Sequence, residues 1–532
     1  MKRLSKKKLL TITLVISLSF QASCRNIEKT RPTYNTKVRS SWGQYRRNGS
    51  RTNDIPFNIE IPLKLVWHKG IVIPPTARLV CDGKYISTIG YGRGKNDKLV
   101  PKIFCFDAQN GSLLWQKTFN PPKPATFHDI AMIHECLLLI YLEQKKYEKA
   151  YLENVWQSVG YPYEPLDNPD KILKRGAVSI IAIDARTGKN MWKWSFPLNL
   201  CTAMGLFSHI SYLSAVSDNK VYLAADRGIF LIDVNHGKTL EFIKDIPLEN
   251  LGLSGKIRPY FEGPNPECQE NGPSPEVPYE WNVFGKRLVA IGQNNLFIAF
   301  DIHNLHEPRV GFPTFLLGLN LNTRKWKVLT KVINGKIDYF CYGGKIVCFT
   351  TYDYTHINDF FALEEASGEK LWEYNLGKDF IEKSSKSLDY LDFDSSMQSK
   401  TSKIYFVQLV KQRNMRTWLY SINLTNGKLD WKRILVNNKV LDIGKFYYSH
   451  PINIFAANNL GILVYNDEIS STDSPLSANP STLLFFKLDT GKIIGKQKTG
   501  AIRSLIAANG CIYTIEGHKR GKNIVHELCC YR

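Results

Sequence analysis

Beyond its first two dozen residues, the chain has no apolar run approaching the 18 residues that a membrane-spanning helix needs. The mature chain is therefore expected to be soluble apart from any anchor. Helical periodicity is almost as scarce, and only the Tyr-, Glu- and Lys-rich stretch from Glu143 to Gln157 invites a short helix. There is no recognition helix and no zinc-finger spacing, and Lys and Arg are scattered rather than clustered, so nucleic acid is not an expected partner. Acidic residues are in short supply, 48 against 70 Lys and Arg, for a formal charge of +22. That balance favours anionic surfaces such as lipid headgroups, or an acidic partner.

What remains is β-structure. Short β-branched and aromatic runs alternate with Gly, Asn and Asp turns almost throughout, which reads as all-β. Before them comes a different signal. Lys2, Arg3, Lys6, Lys7 and Lys8 precede an apolar run from Leu9 to Phe20, too short to span a bilayer and suited to the core of a secretory signal. We read 1–23 as a signal peptide, 24–54 as a polar, basic tether, and 55–532 as one folded unit. Loss of the five basic signal residues would bring the charge from +22 to about +17. Cys24 follows Ala22 and Ser23 directly after the apolar run, which resembles the lipidation motif of bacterial lipoproteins, with Gln21 departing from it. The expectation is an exported chain of a bacterial cell envelope, lipid-anchored through Cys24 or periplasmic. Ten cysteines remain beside Cys24, compatible with disulfides without proving any.

One hairpin recurs along the chain. AIDARTGKNMW (Ala182–Trp192) is matched by CFDAQNGSLLW (Cys105–Trp115), ALEEASGEKLW (Ala362–Trp372), SINLTNGKLDW (Ser421–Trp431) and three looser copies. A polar residue opens each turn: Asp107, Asp184, Asp233, Asn320, Glu364, Asn423 and Lys487. Four residues later stands Gly111, Gly188, Gly237, Arg324, Gly368, Gly427 or Gly491. Glycine there can take positive φ, and a preceding Asp or Asn can tie its side chain to the turn's N–H groups. The hairpin closes on Trp115, Trp192, Trp372 or Trp431, with Glu241, Val328 and Gly495 in the other copies. A tryptophan there can seal a seam between neighbouring units while its N–H finds an acceptor. Arg324 should shape its turn differently, and Glu241 and Val328 should weaken their seams.

A second signal, a polar turn entering a strand, precedes each hairpin and has eight copies against seven hairpins. After the eighth, the chain supplies one more strand near Asn523–Leu528, while Trp67 lies in a strand near the N-terminus with no hairpin of its own. Joining the two ends completes an eighth four-stranded unit. The expected fold is an all-β, eight-bladed β-propeller of four-stranded antiparallel blades closed by N- and C-terminal strands.

This pattern, from about Pro62 to Leu528, resembles the propellers of the pyrroloquinoline quinone repeat class, which includes quinoprotein alcohol dehydrogenases and the lipoprotein subunit of the outer-membrane assembly machinery. With the export signal and Cys24, the lipoprotein branch is the nearer expectation: a non-catalytic envelope scaffold or protein-binding propeller, accessory to outer-membrane protein assembly, with envelope proteins as partners and no cofactor. The resemblance also implies an alternative, a quinoprotein dehydrogenase holding the quinone and calcium over the central channel through Asp, Glu and Asn, with a vicinal cysteine pair on the quinone. No such residue set can be placed here, and Cys529–Cys530 follows the last expected strand instead of lying in an early blade loop. A third reading is a carbohydrate- or small-molecule-binding propeller, with His128, His209 and His450 near its mouth. Asp301, His303 and His306 have metal-donor chemistry at spacing that arises readily by chance. Tyr279 and Trp281 end a Pro- and Gly-rich insertion and are candidate interface anchors. A disulfide between Cys341 and Cys348 is disfavoured, since hairpin pairing sets Cys341 opposite Ile346.

Overall fold

The recurrent hairpin is the clearest place to see why this sequence folds as it does. In the turn at Asp184, the Thr187 N–H donates to Asp184 Oδ1 at 2.7 Å and the Gly188 N–H to the Asp184 carbonyl at 2.8 Å. Gly188 sits at φ +70°. A β-bulge follows between Asn190 and Trp192, so the tryptophan swings toward the neighbouring sheet. Its Nε1–H donates to the Val234 carbonyl at 2.7 Å, and its ring lies over Gly237. Trp67, Trp115, Trp372 and Trp431 do the same, donating to the carbonyls of Gln109, Ala185, Leu424 and Leu488 and covering Gly111, Gly188, Gly427 and Gly491. Each ring seals one unit to the next.

The computed structural model describes residues from Asp54 to Arg532 except 72–77, 94–98, 120–124, 149–171, 199–213, 218, 226–227, 244–255, 260–279, 305–313, 333–335, 353–355, 376–388, 399–400, 412–413, 440–452, 467–479 and 521–522. The signal segment, Cys24, almost all of the tether, His209, His306, His450 and Tyr279 lie outside them. His128, Asp301, His303 and Trp281 lie within strands.

The chain forms an all-β, eight-bladed propeller. Blades 1 to 7 span 79–118, 125–198, 214–243, 280–332, 336–375, 389–439 and 453–499, each a four-stranded antiparallel meander. Blades 4 and 7 carry an extra parallel strand beside their first, Lys256–Pro259 and Asp54–Ile55. Blade 8 takes Ala501–Ala508, Cys511–Arg520 and Asn523–Tyr531 from the C-terminus and Leu65–Ile71 from the N-terminus. Between its two strands, the N-terminal segment is clamped to blade 7. Asn459 exchanges two hydrogen bonds with the Ile59 backbone, and Gln497 exchanges two with that of Leu63. Ile55, Ile59 and Leu63 are buried beneath them. The core lies in the seams: between blades 1 and 2, for example, Val80, Ile103, Leu137 and Leu139 pack as one cluster.

Several sequence expectations are corrected. The helix at 143–157 does not form in its described part, because 143–148 continues the strand Cys136–Glu148 and pairs with Ile172–Asp184. The last strand runs on to Tyr531, so Cys529 and Cys530 lie inside it. Cys341 pairs with Val347, one residue off the expected register, and Cys341 and Cys348 are both buried and not joined by a disulfide.

Arg324 takes φ +60° and makes the ordinary turn, its N–H donating to the Asn320 carbonyl at 2.9 Å. Its guanidinium grips Glu241 with two hydrogen bonds from Nε and one from Nη2, at 2.7 to 3.1 Å. An ion pair thus replaces the tryptophan-on-glycine contact at that seam. In blade 4 the bulge lies past Val328 instead of ahead of it, so Lys327 occupies the tryptophan's place in the pairing. Lys327 Nζ donates to the Ala366 carbonyl at 3.2 Å, and a cavity of about 440 Å³ opens beside it, lined in part by Asn295, Asn320 and Glu365.

Antiparallel meanders give the ring two unlike faces. First-to-second and third-to-fourth turns are short and lie on one. Second-to-third and blade-to-blade connections emerge on the other, and the long ones are all of this kind: 149–171, 199–213, 244–279, 376–388, 440–452 and 467–479.

Candidate functional site

Blade 8 carries a charged cluster at the end of its sheet that belongs to this second face. Its two middle strands pair Glu516 with Glu527 and Thr514 with Cys529, and His68 of the outer strand pairs with Cys529. Strand alternation puts Thr514, Glu516 and His518 on one side of the sheet, toward blade 7. Glu516 is 1% exposed. Thr514 Oγ1 donates to its Oε1 at 2.6 Å and the Tyr531 hydroxyl at 2.8 Å, while the Gly500 N–H donates to Oε2 at 2.9 Å. Burial opposes ionisation of this carboxyl, but His518, Thr514, Tyr531 and Gly500 outweigh it and hold Glu516 below the usual carboxylate range.

His518 stands between two carboxylates. Its Nε2 is 3.5 Å from Glu516 Oε2 and 3.7 Å from Glu527 Oε2, within ion-pair range, yet that buried nitrogen makes no directed hydrogen bond. Its partnership with Glu516 outweighs burial and lifts the imidazole above its ordinary value. Glu527 is held from outside by Arg520 Nη2 at 2.7 Å and His68 Nδ1 at 3.1 Å. On the opposite side of the sheet, burial and the charge of Arg503 push His526 down. Burial, reinforced by the carboxylates, pushes the Cys529 thiol up.

One donor atom each from Glu516, His518 and Cys529 lies within 4.8 Å of the others, a mixed oxygen, nitrogen and sulfur set on rigid strands. A carboxylate beside an imidazole can also pass a proton. None of these residues was singled out for this role from the sequence. The signal was present in EGHKRGKNIVHELCC, where a turn at 520–523 sets Glu516 against Glu527. The predicted turn glycines and seam tryptophans belong to the opposite face. Asp301 and His303 lie in the strand Asn295–Asn304, and their side chains fall outside those described.

No protein-family model matches this sequence, and no curated protein is similar to it at a significant level. Solved structures do match. A quinohemoprotein alcohol dehydrogenase from Pseudomonas putida aligns with 92% of this chain and 80% of its own, at 10% identity and a TM-score of 0.52. A europium-containing methanol dehydrogenase aligns over 93% and 98%, at 11% identity and a TM-score of 0.54. The fold is that of the quinoprotein dehydrogenases. This corrects the expectation that the chain lies nearer to the outer-membrane assembly lipoproteins. The expectation of a non-enzyme is corrected with it, on the dehydrogenase fold and the buried Glu516–His518–Cys529 cluster.

The quinone and calcium of that enzyme class do not fit this cluster. Calcium takes six to eight oxygen ligands. Here the donors include a thiol and an imidazole, and within the set only Glu516 supplies oxygen. Cys529 and Cys530 are buried neighbours in a paired strand, their side chains on opposite sides of the sheet, and present no vicinal pair to a ligand.

Proposed function

We propose that this chain is a small-molecule-binding propeller of enzyme type, not a passive scaffold, and that it takes an anionic ligand on the face bearing its long connections. The observation that carries this reading is convergence: the charged cluster of blade 8 lies at the same end of the sheets as every long connection. Loops on a rigid scaffold are the usual carriers of binding, and clefts with convergent polar groups the usual sites.

Charge supports an anion. The sequences joining second to third strands are rich in cations in several blades: Arg93, Lys95 and Lys98 in blade 1; Lys411, Arg413 and Arg416 in blade 6; Lys519, Arg520 and Lys522 in blade 8. The short turns of the other face interleave their lysines with Asp107, Asp184, Asp233 and Asp489. A polycarboxylate is the simplest ligand class for the first surface.

Thermal unfolding with citrate and with pyrroloquinoline quinone, each with and without calcium, tests the reading. A ligand at one hundred times its Kd stabilises by about 2.7 kcal/mol, a shift of a few degrees. At least one probe should raise the midpoint, and the rise should be lost in the double variant Lys519→Ala, Arg520→Ala. If neither moves the midpoint at millimolar concentration, the anionic-ligand reading is wrong.

A further inference from the structure

We propose that Glu516, His518 and Cys529 form a three-residue site for a divalent transition metal ion of the zinc class, with the fourth position left to water. The proposal stands independently of the anionic ligand.

Three observations converge. The first is distance. A tetrahedral ion with bonds of about 2.0 to 2.3 Å holds its ligand atoms roughly 3.3 to 3.8 Å apart. Glu516 Oε2 lies 3.5 Å from His518 Nε2, and the Cys529 sulfur lies within 4.8 Å of the Glu516 and His518 donors. These separations are too long for good hydrogen bonds and close to the edge of a coordination tetrahedron. The second is the state of His518 Nε2, which is shielded from solvent between two carboxylates and has no hydrogen bond. A buried nitrogen without a directed hydrogen bond is costly, and a cation would satisfy it together with the Glu516 carboxylate.

The third is the support behind the donors. Tyr531, Thr514 and the Gly500 N–H orient Glu516. Metal sites are usually built this way, with outer hydrogen bonds fixing the inner ligands. Donor type selects the ion, because thiolate, imidazole and carboxylate together suit zinc or cobalt and not calcium or magnesium. Binding would release the Cys529 proton, leaving two anionic ligands and one neutral imidazole around the dication.

Full-length mature protein, stripped with a chelator and titrated with Co²⁺, is the test. Cobalt should bind at one equivalent with a thiolate charge-transfer band in the near ultraviolet, and Zn²⁺ should displace it. Cys529→Ser should abolish that band, and His518→Ala should weaken binding by at least about tenfold. His518 is partly exposed, so its variant should fold, and far-ultraviolet circular dichroism checks both proteins. Absence of stoichiometric binding by wild type, or equal binding by folded wild type and both variants, would overturn the site.

Discussion

Arg324 shows how a single residue can break the repeat and keep its geometry. At φ +60° a side chain pays about 1 to 2 kcal/mol that glycine does not. The bidentate grip on Glu241 offsets part of it, but the two side chains are 37% and 36% exposed, and such pairs contribute about 0 to 1 kcal/mol. The two effects nearly cancel. Arg324→Gly should therefore change the unfolding free energy by less than about 1 kcal/mol. Gly188→Ala should cost more than about 2 kcal/mol, since its Cβ would stand 2.8 Å from the Trp115 ring at a φ of +70°. Urea unfolding monitored by tryptophan fluorescence checks both. A loss above 2 kcal/mol in Arg324→Gly would show that the ion pair, not the turn, holds this seam.

Among the blades, the seam between blades 4 and 5 departs furthest from the repeat. Counting residues points to Val328 as the tryptophan's substitute, but the displaced bulge puts Lys327 in that pairing. A bulge is one unpaired residue, and nothing in LNTRKWKV announces where it falls. Leu329, 8% exposed, joins the core shared by these blades, and its backbone covers Gly368. Leu329→Ala should cost about 2 to 4 kcal/mol, and Lys327→Ala under about 1 kcal/mol. The reverse order would mean that Lys327 does the tryptophan's job. The helix expected at 143–157 failed for a related reason. Its Tyr, Glu and Lys suit a helix by propensity, but 143–148 finds a full ladder of partners along Ile172–Asp184, and tertiary pairing overrides so weak a preference.

For the whole molecule, ring closure was legible because it is a counting property: an eighth second-strand signal without a hairpin, and a hairpinless Trp67 at the other end. Trp67 and Tyr513, with ring centroids 5.9 Å apart, now mark that closure beside blade 1. The candidate site was not legible in the same way. It draws on Glu516, His518, Glu527 and Cys529 from two strands and on Gly500, Tyr531 and His68 around them, a set that only register brings together. The two faces of the ring follow from the meander alone, and they carry the functional reading. Hydrogen–deuterium exchange with whichever of citrate and pyrroloquinoline quinone raises the unfolding midpoint tests it most directly. Exchange should slow in the second-to-third-strand and blade-to-blade connections, including 516–527, and stay unchanged in the turns at Gly111, Gly188 and Gly427. Slowed exchange confined to those turns, or none at saturating ligand, would contradict it.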